Sequence, residues 1–105
     1  MTSEKVSYEV APREILKEKS LNFKKYKLAL ENNLTHRFEE LKEDYGLINM
    51  FMQFLSENER EIFIYRFLEV LIWKRVSEYV GKEAISCQKI EKRIIDKWGV
   101  FIKQG

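Results

Sequence analysis

Val76-Ser77-Glu78-Tyr79-Val80-Gly81-Lys82-Glu83-Ala84-Ile85-Ser86-Cys87-Gln88-Lys89-Ile90 reads as two helices meeting at a tight turn. Trp73, Val76 and Val80 recur at helical spacing, and Gly81 follows, a residue suited to the left-handed backbone that ends a helix. Beyond it, with about 100° of rotation per residue, Ile90, Ile94 and Trp98 fall within about 60° of Cys87. They form one apolar seam. Ile85, Lys89 and Lys92 fall on the far side, with Ser86, Gln88 and Arg93 on its flanks. A helix seated by such a seam, with cations, an amide and a hydroxyl on its outer face, has what a DNA major groove requires.

Upstream, Leu55-Ser56-Glu57-Asn58-Glu59-Arg60-Glu61-Ile62 predicts a helix start with a mechanism. Ser56 and Glu59 can cap each other's backbone N–H groups, and Glu57, Glu59 and Glu61 complement the positive end of the helix dipole. Ile62, Phe63, Phe67, Val70 and Leu71 follow at helical spacing and predict a buried face.

These residues carry a resemblance. Leu55-Ser56-x-x-Glu59-Arg60-Glu61-Ile62, Tyr65-Arg66-Phe67 and Trp73-x-x-Val76-Ser77-x-x-Val80-Gly81 resemble the last helix-turn-helix of bacterial sigma factors, which reads the −35 element. The small phage transcription regulators of the RinA and ArpU type are similar. The likeness covers about forty residues, Leu55 to Trp98. It implies a phage- or prophage-type regulator acting with RNA polymerase. Three positions depart from the pattern. Val70 stands where glycine is common, Ile72 where a capping Ser or Thr is, and Lys82 where an apolar residue is. The first two leave the break between helices weakly specified, and Lys82 must lay its stem over the core or leave a gap.

The 105 residues suffice for one domain, or one domain and an arm. A hydrophobic fraction of 45% excludes a disordered composition, and four glycines with one proline leave few hairpin turns. The net charge is +2, unevenly spread: residues 71–105 hold eight Lys or Arg against four Asp or Glu, and residues 1–70 eleven against thirteen. Positive charge thus gathers where the candidate recognition helix lies. One cysteine rules out an intrachain disulfide and fits a reducing compartment. No basic-then-apolar leader opens the sequence, and no run approaches the roughly 20 apolar residues of a membrane span. The expectation is a cytoplasmic protein away from the membrane.

Met1–Val10 is expected to be loose, and Ala11-Pro12-Arg13-Glu14 to open a helix. From there Leu16, Phe23, Tyr26, Leu30, Leu34, Phe38, Leu41 and Tyr45 form an amphipathic stripe, with Lys19 filling a missing step. Asn32-Asn33 is the plausible break, so one helix or two stays open. Gly46 is expected to close this arm, Leu47–Leu55 to be a short buried helix, Gly99 to end the recognition helix, and Val100-Phe101-Ile102 to fold back. Lys103–Gly105 should be loose.

The architecture expected is all-α: an N-terminal helical arm or hairpin (residues 1–46) packed on a helix-turn-helix domain (residues 47–105). Its function would be sequence-specific binding of double-stranded DNA in transcription regulation. Gln88 and Ser86 would read bases, Lys89, Lys92 and Arg93 would hold phosphates, and Lys74 and Arg75 would meet the flanking backbone. No catalytic or metal site and no cofactor is expected, since His36 has no ligand partner at metal spacing and Cys87 lies in the seam. The rival reading is a non-catalytic helical adaptor that binds a protein. A homodimer, carrying two recognition helices, also stays open.

Overall fold

A computed structural model of the chain describes residues 2–104, with side chains from residue 12 onward. The fold is all-α, with no strand among the described residues. Helix α1 spans Thr2–Glu31 and is followed by two 3-10 turns, Thr35–Arg37 and Glu39–Leu41. Helix α2 spans Lys42–Phe54, and α3 spans Glu57–Phe63 and widens into a π-helical turn, Ile64–Leu68. Helices α4, Trp73–Val80, and α5, Ala84–Gln104, complete the chain. No described helix is long and apolar enough to cross a membrane.

The break expected at Asn32-Asn33 is made by a Schellman-type cap. Asn33 takes a left-handed φ of 57°. The N–H of Leu34 donates to the Ala29 carbonyl at 2.8 Å and that of Asn33 to Leu30 at 3.3 Å. Helices α1 and α2 then pack as a hairpin, with Tyr45 stacked on Phe23 at 4.9 Å and tilted on Tyr26 at 5.1 Å. Asp44 accepts from Asn22 at 2.7 Å and pairs with Lys19 at 3.1 Å, so Lys19 keeps its place in the stripe by reaching a carboxylate.

Several expectations need correction. Leu30 and Leu34 are exposed, and Ala29 is buried instead, because the chain turns back at Asn33 over the side of α1 that carries Ala29. Pro12 does not open α1 but lies inside it; the missing N–H costs one backbone bond, about 3 kcal/mol in a helix interior. Thr2–Val10 belongs to α1, while Met1 and Gly105 lie outside the described residues. Gly46 does not close an arm but sits inside α2, so the boundary drawn at residue 46 falls within that helix. Only one face of Leu47–Leu55 is buried: Ile48, Phe51 and Leu55 are inside, and Met50 and Phe54 are exposed.

Gly99 does not end α5, which runs on to Gln104, and Val100-Phe101-Ile102 continues the helix rather than folding back. A glycine inside a helix costs only about 1 kcal/mol. Trp98 and Phe101 offset that by packing on Phe51 with centroids 5.0 and 5.4 Å away. A single hydrophobic core joins all five helices through Leu16, Phe51, Phe63, Val76, Ile94 and Trp98.

Candidate nucleic-acid interface

The helix that seats the candidate interface begins as its sequence dictates. Ser56 Oγ accepts from the Glu59 N–H at 3.3 Å, and the Ser56 N–H donates to Glu59 Oε1 at 2.9 Å. This capping box starts α3, whose Ile62 and Phe63 are wholly buried. Glu59 has a second task. Only 4% exposed, it accepts from Lys97 Nζ of α5 at 2.7 Å, with Arg93 Nε 3.9 Å from its other oxygen. Burial opposes its ionisation, but the Lys97 hydrogen bond, the Ser56 N–H and the Lys97 charge outweigh it. The carboxyl is held below the ordinary glutamate range.

The break between α3 and α4, weakly specified in sequence, is made without glycine or a capping hydroxyl. The π-helical turn lets the Glu69 N–H reach the Ile64 carbonyl at 2.8 Å, and the Leu71 N–H returns to the Tyr65 carbonyl at 2.9 Å. Between them Val70 takes φ 55°, a left-handed conformation that a β-branched residue rarely adopts. Expected on the buried face, Val70 is instead 65% exposed, because this backbone swings it out of the helical register. Arg66 closes the turn: Nη1 donates to the Leu71 carbonyl at 2.8 Å, and the guanidinium lies over the Trp73 ring at 4.1 Å. Ile72 sits extended at the N-cap of α4 and offers no side-chain bond.

The turn between α4 and α5 is the one expected. Gly81 is left-handed, φ 77°, and its N–H donates to the Ser77 carbonyl at 2.9 Å. The Ser77 hydroxyl donates to the carbonyl of Lys82, whose exposed side chain leaves the core to its neighbours. Helix α5 then seats its seam as read: Cys87, Ile90, Ile94 and Trp98 are all buried, against Val76 and Ile62. Burial pushes the Cys87 thiol up, the Lys82 charge lowers it by less and Glu61 adds a small further rise, so this cysteine acts as packing.

All seven residues expected to contact DNA are exposed. Lys89 and Lys92 lie on the outer arc of the first turns of α5 with Ser86 and Gln88 on its two flanks, and Lys74 and Arg75 occupy the first turn of α4. Arg75 leans on Glu78 at 3.7 Å, an exposed pair of little energetic weight. Among the described residues Lys74, Lys89 and Lys92 form no ion pair. Arg93 lies on the same flank as Ser86, with its Nε 3.9 Å from Glu59. Ile85 is exposed on the same arc, as its position implied, and Asp96 lines one cleft with Gln88 and Lys92.

Two ties were not foreseen. Glu91, 6% exposed, pairs with Arg13 of α1, and Lys97 reaches Glu59 of α3. A signal for the first existed: Glu91 falls about 40° from Cys87 on the helical wheel, inside the seam's arc, where a carboxylate needs a cation. His36 is exposed, and no group of three His, Cys, Asp or Glu side chains able to hold a metal occurs among the described residues. The arrangement offers charge, amide and hydroxyl groups on a rigid helix face.

No protein-family model, curated protein or solved structure matches the chain.

Proposed function

We propose that the chain binds double-stranded DNA through the outer face of α5 and controls transcription without catalysing a reaction. One observation carries the reading. Directly after a three-residue turn, α5 buries its seam against α3 and α4 while Ser86, Gln88, Lys89 and Lys92 face outward from its first turns. Recognition helices work this way, with their N-terminal residues at base edges and the preceding helix across the backbone. In this arrangement Gln88 and Ser86 read bases, Lys89, Lys92 and Arg93 hold phosphates, and Lys74 and Arg75 meet the flanking strand. The sigma-like pattern of Leu55–Trp98 adds a cytoplasmic, phage-type regulator that works beside RNA polymerase.

The test is fluorescence anisotropy of a labelled duplex across a salt series. Up to five phosphate contacts give a log–log slope of about −4.5. Lys92→Ala should weaken all duplexes alike and flatten that slope by about 1, whereas Gln88→Ala should lose about 1–3 kcal/mol on the preferred site alone. Absence of binding even at low salt sinks the proposal. It would favour the helical adaptor, for which the N-terminal stripe, with its exposed Leu30 and Leu34, and the exposed Ile85 are the surfaces to probe.

A further inference from the structure

A groove runs between α1 and the π-helical turn. On α1, Leu21 and Leu28 lie seven residues apart on one face, and Leu28 is 60% exposed. Across from them stand Ile64 and Leu68, and Val70 extends the same apolar floor beside Leu21. Leu21 to Leu28 spans about 10.5 Å, two turns of a helix. This is the length over which an amphipathic helix presents residues i, i+3, i+4 and i+7.

The rim is basic. Lys17, Lys24, Lys25 and Lys27 of α1 and Arg66 of the π-helical turn line the groove, against Glu31 and Glu69. Arg13 and Glu91, which also line it, neutralise each other. Five cations therefore face two carboxylates. A symmetric dimer through this groove would bring the same rim against itself, and like charges so placed repel. Nor is the groove built for single-stranded nucleic acid, whose sites present aromatic platforms, because its exposed floor is aliphatic. A membrane would need an apolar face that protrudes, and this one is recessed between two elements.

Val70 adds an independent observation. Glycine would adopt its left-handed backbone without strain, yet the position carries a β-branched side chain that is largely exposed to water in the groove. Strain held at an exposed site points to function rather than to folding. We infer that this groove docks an acidic amphipathic helix of a protein partner, its apolar residues on Leu21, Leu28 and Val70 and its carboxylates on the lysine rim.

The test uses the full chain and two labelled synthetic helical peptides of about four turns, identical in their leucine stripe, one flanked by Glu and one by Lys. Anisotropy should give the Glu peptide an affinity on the order of micromolar and the Lys peptide at least about tenfold less. Leu28→Glu, at an exposed position, should weaken the Glu peptide about tenfold, and Lys24→Glu should weaken it and flatten its salt dependence. Val70→Gly, which relieves strain and so keeps the fold, should weaken it about threefold. The inference is overturned if neither peptide binds, if both bind alike, or if the variants change nothing while urea melts show them folded. It is equally overturned if phosphatidylserine vesicles or duplex DNA bind and lose affinity with Lys24→Glu while the Glu peptide does not bind.

Discussion

Replacing Val70 by glycine should stabilise the protein, against the usual direction of a large-to-small substitution. Holding a β-branched residue at φ 55° costs of order 2 kcal/mol. Glycine removes that cost but gains freedom in the unfolded chain, an entropic penalty of about 0.7 kcal/mol. The burial at stake is small: the residue is 65% exposed, so about a third of a valine's transfer energy, roughly 0.5 kcal/mol, is lost. The balance is about +1 kcal/mol, or a rise in Tm of about 5 °C for a domain of this size. Val70→Ala separates the contributions, since alanine keeps most of the left-handed strain while discarding the side chain. It should stay near the wild type or slightly below. Urea unfolding of the three proteins at one pH, with equal m-values, reads the order Gly above Val and Val at or above Ala. Val70→Gly falling below Val70→Ala would refute the reasoning, because the side chain would then contribute more by packing than its backbone costs.

Ile72→Ser should add about 1 kcal/mol, because the N-cap of α4 is extended, exposed and without a side-chain bond; unfolding midpoints check it. Gly99→Ala should add about 1 kcal/mol, since a Cβ there meets nothing within 4 Å and the helix continues on both sides; a thermal melt reads the gain. Glu59 has a folded pKa below its ordinary 4.5, so its contribution is present above about pH 5 and is lost as pH falls through the folded pKa. Stability of the wild type relative to Glu59→Gln, measured by urea titration from pH 7 downward, should therefore shrink over that acid range. A difference that stays constant would remove the Lys97 pairing as its cause.

Much of the fold was legible because it rests on local chemistry. The Ser56–Glu59 box, the Gly81 turn, the Asn33 cap and the Cys87–Trp98 seam each depend on residues within a few turns of one another. Isolated punctuation was less reliable. Pro12, Gly46 and Gly99 each lie inside a helix, because a penalty of one to three kcal/mol is outweighed by the packing of flanking residues such as Ile48, Phe51 and Trp98. The break before α4 was hidden for the opposite reason. Neither Val70 nor Ile72 favours a turn, and the π-helical widening, together with the Arg66 bond to Leu71, imposes one.

Of the candidate interface, periodicity identified which residues of α5 face outward but not what orients the helix. An apolar seam is non-directional and by itself tolerates sliding and rotation. Polar ties remove that freedom: Glu59 holds Lys97 on one flank, Glu91 holds Arg13 on the other, and Ser77 holds Lys82 at the turn. Two of these join residues 38 and 78 positions apart, beyond the reach of any local pattern. Pairs of this kind, a buried carboxylate with a partly exposed cation, add little net stability, so their consequence lies in geometry. The Arg13–Glu91 pair is common to two surfaces, lining the basic groove on one side and the cleft of Gln88 and Lys92 on the other. An occupant of the groove that drew Arg13 away would leave Glu91 an unpaired carboxylate beside those two residues, and that charge opposes phosphate. If DNA binds at Gln88 and Lys92 as proposed, linkage requires the converse: that DNA would weaken such an occupant by the same factor.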